Sequence, residues 1–371
     1  MSRPCILLPP AMAALAILAT TWGARAADPA PPSPPAAAPA VPSAQQRREI
    51  MDWLNKFRRA RGDPAARAQA VARILEIGPD AAAQLLASVS KELAPLHAKY
   101  RAAFLEATMV VLRARFETQD PTEVDSLRET VLALGKDGDL THEKIVANGD
   151  PAMARLSELL AVDRETVLKD TPLLQAQRDA LLELGTYWQR ATDALAEHAA
   201  KAAGEPAEKP PPTARFEDVL KDQEAISSLL ALARNDSQRK ILLVNADLAA
   251  KLPLEEARGI LDLNRMRLLL GLKPLRIDLG LCDAARDHAK DMVTLRFFAH
   301  DSPVPGKASP WDRAKRFGTS AGAENIAGGC ATGVGANRMW FHSPGHHKNM
   351  LGGHSRMGLG KHENTWVQMF G

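Results

Sequence analysis

Proline decides how this chain can be divided. Residues 28–43 read DPAPPSPPAAAPAVPS and residues 204–214 read GEPAEKPPPTA. Proline fixes φ and carries no backbone N–H, so neither tract can enter a helix interior or a central strand; both are extended spacers. Elsewhere single prolines follow a polar cap or a glycine: Asp63-Pro64, Gly78-Pro79, Asp120-Pro121, Gly149-Asp150-Pro151 and Thr171-Pro172. Such pairs end one helix and open the next. Between them the apolar spacing is helical, as in Leu173, Ala176, Ala180, Leu181 and Leu184. The chain thus reads as a helical region over 44–203 of unassigned role, a linker over 204–214 and a helical connector over 215–257. In the connector Phe216, Val219, Leu220, Ile226, Leu229 and Leu230 share one face. Residues 65–89 have the pattern of one helical hairpin, but no copy recurs at a fixed period, so no solenoid is predicted. Asp137 to His142 imitates a calcium loop, yet its sixth position is His142 instead of glycine and its twelfth is Asn148 instead of glutamate. It reads as a plain loop.

The N-terminus has the organisation of a secretory signal. Arg3 is the charged start, Ala11 to Ala19 the apolar run, and Ala24-Arg25-Ala26 a small-x-small cleavage site, giving a signal over 1–26 and a Pro/Ala-rich linker over 27–43. The apolar run is shorter than the ~20 residues that span a bilayer, so no transmembrane segment is expected after cleavage. Export to the cell envelope, the periplasm or the medium follows. Losing Arg3 and Arg25 from 47 basic residues leaves 45 against 44 acidic ones, a near-neutral balance that gives no support to a nucleic-acid partner. Three cysteines cannot staple a chain of 371 residues. Removing the signal leaves Cys282 and Cys330, and an oxidising compartment leaves their pairing open.

Chemistry concentrates near the C-terminus. Of the ten histidines, His288, His300, His342, His346, His347, His354 and His362 lie there, and histidine is the usual neutral-pH acid, base or metal ligand. Three motif matches fail on context. Gly318-Thr319-Ser320-Ala321-Gly322 fits a nucleophile elbow, but a charged helix, Trp311 to Arg316, stands where the elbow needs a strand. His346-His347 lacks the spacing of a zinc-protease helix, and Gly328, Gly329, Gly333 and Gly335 precede no phosphate-binding lysine.

A longer ordered pattern remains. It runs through Leu263-Asn264-Arg265, Phe298-Ala299-His300-Asp301-Ser302, Ala323-Glu324-Asn325-Ile326-Ala327, Ser343-Pro344-Gly345-His346-His347-Lys348-Asn349-Met350-Leu351 and Trp366-Val367-Gln368-Met369-Phe370. This set resembles the CAP superfamily, the SCP domain of cysteine-rich secretory proteins, antigen-five allergens and pathogenesis-related proteins, in its bacterial form. The resemblance covers 258–371. It implies an α+β chain: an α-β-α sandwich with a small antiparallel sheet, preceded by the mostly helical region. Trp366 to Phe370 alternates as a strand does, and Gly358 to Lys361 is its expected partner. The resemblance also implies a cleft lined by His300, Glu324 and His346. The family's second acid falls on Ser343, its usual Gly-Glu-Asn is Ala323-Glu324-Asn325, and its usual arginine after the cleft histidine is His347.

From these residues the leading expectation is a binding module for an unidentified protein, lipid or envelope ligand. His300 and His346 would hold a divalent metal, zinc first, with Glu324 orienting an imidazole or serving as third ligand; no organic cofactor is expected. Two alternatives stay open. One is a metal-assisted hydrolase with Glu324 as base, alongside His346 and Ser343. It is the weaker reading, because zinc hydrolases commonly offer three protein ligands. The other is a lipid or sterol carrier, an activity of some relatives. His288 is expected to be packed or at the surface, His342, His354 and His362 exposed, Asn325 and Asn349 loop-fixing, and Trp311, Trp340 and Trp366 part of the core.

Overall fold

The computed structural model describes residues 42–203 and 216–371, so the signal, most of the first spacer and the Pro-rich linker lie outside the described residues. The proline pairs open helices as expected. Ser43 begins α1 (Ala44–Arg59) with a reciprocal capping box to Gln46, Asp63 caps α2 (Pro64–Ile77), and Gly78 at φ 131° turns the chain into α3 (Pro79–Thr118). Asp120 caps α4 (Pro121–Leu134), and a single π-helical turn, Ile145–Gly149, leads into α5 (Asp150–Leu160). Then come α6 (Arg164–Lys169), α7 (Pro172–Ala202), α8 (Phe216–Leu232), α9 (Asp236–Ala249) and α10 (Leu254–Leu269). Asp137 to Leu140 form the loop expected of them.

The chain divides into two compact units, one with residues up to Phe104 and Leu168–Glu224, the other with Leu105–Val167 and Ala225–Gly371. In the first unit Ile50, Leu54 and Phe57 of α1 are buried. A buried Glu224 there accepts from Tyr100 Oη at 2.7 Å and from Arg178 Nε at 3.0 Å. No helix among the described residues is long and apolar enough to cross a membrane.

The second unit holds the sheet. After β1 (Arg276–Ile277) and α11 (Leu279–Thr294) come α12 (Pro310–Arg316), β2 (Ala323–Gly328), α13 (Gly333–His342), α14 (Pro344–Leu351), β3 (Arg356–His362) and β4 (Thr365–Phe370). The strand order is β1-β3-β4-β2. β4 pairs antiparallel with β2 and with β3, as the alternation predicted, while β1 adds a parallel pair with β3, so the sheet is mixed. Alternation along β4 assigns its two faces. Trp366 and Phe370 join one apolar cluster with Ile260, Leu263, Trp340 and Met350; Val367 and Met369 join another with Leu281, Ala285, Ala289 and Met292. The sheet therefore lies between α10, α13 and α14 on one side and α11 and α12 on the other.

The first cluster does not stop at the sandwich. Val124, Val131 and Leu134 of α4 and Ala152, Leu156 and Leu159 of α5 belong to it, alongside Phe341 and Met357. These helices bury their apolar faces against the sandwich, so the unit spans segments that the sequence separates as 44–203, 215–257 and 258–371.

Candidate functional site

β2 is an edge strand, and the cleft forms along it. Alternation sends Glu324 to the α11–α12 side and Asn325 to the α13–α14 side. His300 hangs in the loop after α11, which is pinned at several points. His288, fully buried on α11, donates from Nε2 to the Ala299 carbonyl at 3.0 Å, and Lys307 reaches back to Asp287 at 2.7 Å and Asp291 at 2.8 Å. His288 is a packed structural histidine, and burial pushes its pKa down.

Arg313 fixes the loop from within. Its fully buried guanidinium donates to the carbonyls of Lys307 at 3.0 Å and His300 at 2.9 Å and to Glu324 Oε2 at 2.6 Å. The other Glu324 oxygen, Oε1, accepts from His300 Nδ1 at 3.0 Å. A carboxylate paired with arginine only accepts, so the His300 proton sits on Nδ1 and the Nε2 lone pair is left outward. The Glu324 hydrogen bond raises the His300 pKa, against the opposing effect of burial.

His346, in the first turn of α14, faces this ring with centroids 6.5 Å apart and planes at 60°. Burial first, then the neighbouring His300 charge, lowers its pKa. Ser343 occupies the N-cap position of α14 without donating or accepting a side-chain cap bond. Asn349 Nδ2 donates to Asn325 Oδ1 at 2.9 Å and to the Glu324 carbonyl at 3.3 Å, tying α14 to β2. Among the described residues no three His, Cys, Asp or Glu side chains gather as a metal-binding set. The cleft offers two imidazoles and a carboxylate with both oxygens engaged. For a cation the donors that fit are His300 Nε2 and the His346 ring, with Glu324 holding His300 in its tautomer.

Several expected positions differ. Trp311 is 59% exposed and not core, because it lies opposite Arg313 on the short α12; Trp340 and Trp366 are buried. His342 is not a free surface residue: its Nε2 meets both Asp150 oxygens at 2.9 and 3.0 Å, and its carbonyl lies 3.2 Å from His142 Nδ1. His347 is fully buried, with Nδ1 donating to the Phe341 carbonyl at 2.7 Å. His354 stacks on Phe370 with centroids 4.9 Å apart. Cys282 and Cys330 are both free thiols and form no bridge; Cys282 is wholly buried in α11. Ser320, the rejected nucleophile, has a helix before it and β2 after it, the reverse of an elbow, and its Oγ accepts from Arg356 at 2.8 Å. Arg313 escaped the sequence reading, since one arginine in a charged hexapeptide carries no local mark of burial.

The model of the cysteine-rich secretory protein family, CAP, matches residues 262–370. Over 112 residues the chain is 40% identical to the uncharacterized protein YkwD of Bacillus subtilis (strain 168), covering 29% of this chain and 43% of that protein. It is also similar to the crystal structure of an extracellular protein containing a SCP domain from Bacillus anthracis str. Ames. The identity there is 29%, over 34% of this chain and 42% of that one, with a TM-score of 0.31. The chain spans less than half the length of either relative.

Proposed function

We propose, for a chain whose residues 262–370 are a domain of the cysteine-rich secretory protein family, that it acts as an exported binding module of the cell envelope or medium. Its cleft holds a divalent cation weakly between His300 and His346. Zinc is the first candidate, since imidazole suits it and two rings leave open positions for water or a ligand carboxylate. A bound cation supplies Lewis acidity and a coordination point for that carboxylate. The export reading rests on residues 1–26, outside the described structure.

One observation favours binding over hydrolysis: Glu324, the base a hydrolase needs, is held by Arg313 at 2.6 Å and by His300 at 3.0 Å, its side chain 1% exposed. With both oxygens engaged and the side chain buried, it has no free lone pair aimed at a water in the cleft. Ring centroids 6.5 Å apart are also wider than the ~5 Å that two rings on one tetrahedral zinc adopt with Zn–N bonds of about 2 Å, so binding must draw the rings together, which weakens it. Calorimetric titration of zinc into the mature protein and its His300→Ala and His346→Ala variants is the test. Binding at micromolar or weaker affinity that both substitutions abolish supports the reading, and equal affinity in all three removes it. Zinc-dependent esterase or protease turnover abolished by Glu324→Gln would favour the hydrolase instead.

A further inference from the structure

The first unit carries an open groove of about 1160 Å³, lined by α1, α3 and Leu184 of α7. Along α3 the lining positions are 84, 87, 88, 91, 92, 95, 96 and 99. That is one helical stripe, about 22 Å long at the ordinary rise of an α-helix. The floor is apolar: Leu54 and Leu184 are buried, while Met51 on α1 is left 46% exposed.

The charges of the groove are one-sided. Arg58, Arg61, Lys91 and Lys99 line it against one acid, Glu92. Glu92 is already engaged, by Arg67 at 2.9 Å and by Arg61 at 3.5 Å. Arg58 donates to neutral oxygens, Ser88 Oγ at 3.2 Å and Asn55 Oδ1 at 3.4 Å. Lys91 and Lys99 are exposed, and among the described residues no carboxylate pairs with either. Arg58, Lys91 and Lys99 therefore border an apolar trough without counter-charge, in a chain whose 47 basic and 44 acidic residues nearly balance.

That arrangement selects an occupant. Lys91 and Lys99 lie about 12 Å apart along the helix axis, a little over two turns. A single small anion would have to draw both stems together over the trough. A helix with acids two turns apart meets each lysine where it stands, and its apolar face covers Met51 and the floor. We propose that the groove docks an acidic amphipathic helix of a partner protein, about four turns long, with its apolar face on Met51, Leu54 and Leu184 and its carboxylates on Arg58, Lys91 and Lys99. The groove shares no residue with the His300 cleft, so this docking is independent of the cation reading.

The test uses the chain from residue 27 to 371 and fluorescein-labelled peptides of about 16 residues, the length of the stripe, read by anisotropy at low salt. One peptide has leucine on one helical face and glutamate on the other. A second has lysine in place of glutamate, and a third scrambles the first so that its periodicity is lost. The ordered glutamate peptide binds, and the other two bind at least about tenfold more weakly. Lys91→Glu combined with Lys99→Glu replaces two attractions by two repulsions and lowers affinity about tenfold. Both positions are exposed and glutamate is as good a helix former as lysine, so an unchanged thermal melt confirms that the double variant is folded. Met51→Ala weakens binding severalfold through lost apolar contact. Failure of the ordered glutamate peptide to bind overturns the proposal, as does equal binding of the lysine or the scrambled peptide. A folded double variant of unchanged affinity overturns it too. Sedimentation with phosphatidylglycerol vesicles that the double substitution abolishes, without binding of any peptide, would make the groove a membrane-surface site and overturn it as well.

Discussion

Replacing Arg313 by methionine tests how the cleft is held. The guanidinium is fully buried and bonds Glu324 at 2.6 Å, the His300 carbonyl at 2.9 Å and the Lys307 carbonyl at 3.0 Å. Methionine fills most of the volume and supplies none of these donors, leaving a carboxylate with a side chain 1% exposed and only His300 as partner. Removing one member of a buried ion pair costs about 3–5 kcal/mol. The cost depends on pH with a definite sign, set by His300. The Arg313 charge lowers the His300 pKa, so the variant holds the His300 proton to higher pH than wild type. A raised folded pKa gives stability that is present at low pH and lost as pH climbs through it. The deficit is therefore larger near pH 8 and shrinks toward pH 5. Urea titrations at both pH values, followed on the Trp366 indole N–H that donates to the Cys330 carbonyl, report this unit alone. A deficit below about 1 kcal/mol at pH 8, or one that grows on acidification, would refute the reasoning, since only a screened surface pair costs so little.

Zinc binding should strengthen as pH rises past about 6.5, because the Glu324 bond makes His300 keep its proton above the ordinary histidine value and the metal must displace it; pH-independent affinity between 6 and 8 would exclude His300 as ligand. Thiol titration of the denatured chain from residue 27 to 371, without reductant, should count two thiols, and in the native protein Cys330 should react far faster than Cys282, which is wholly buried with its thiol pushed up to about 12. His347→Arg should destabilise by about 2–4 kcal/mol as an overpacked, unpaired buried charge, since the imidazole ring already lies 4.6 Å from Phe341; neutral unfolding data would contradict the packing. A fragment of residues 258–371 should lose its Trp366 signal at lower urea than the full chain, because Phe341 and Met350 share their cluster with Val131 and Leu156, which the fragment lacks.

Local signals carried far. Proline after a capping residue placed the starts of α2, α4 and α7, because a cap and a missing N–H act within one turn. The ordered motifs identified the sandwich and brought His300, Glu324 and His346 to one edge strand. What stayed hidden was long-range. Asp150 and His342 meet across 192 positions, and neither carries a pattern announcing the other. Arg313 sits among Asp312, Lys315 and Arg316, and only the third dimension shows that it alone turns inward. Gln368 was closer to legible: a glutamine between inward Trp366 and Phe370 on an alternating strand must be buried, and a buried amide needs partners.

Gly358 and Gly360 deserve a mechanical reading. A Cβ at either would stand 2.2 Å from the backbone of α11, at the Leu281 carbonyl carbon and the Arg286 nitrogen respectively. The helix therefore rests on bare main chain, a seam with no side chain to act as a cushion. The His300 loop is suspended from that same helix by His288 and Lys307. Alanine at 358 or 360 acts as a shim: its Cβ must displace the helix, and with it the loop that carries His300. The spacing of the cleft is thus tied to β3, on the far side of β4 from the edge strand that lines it.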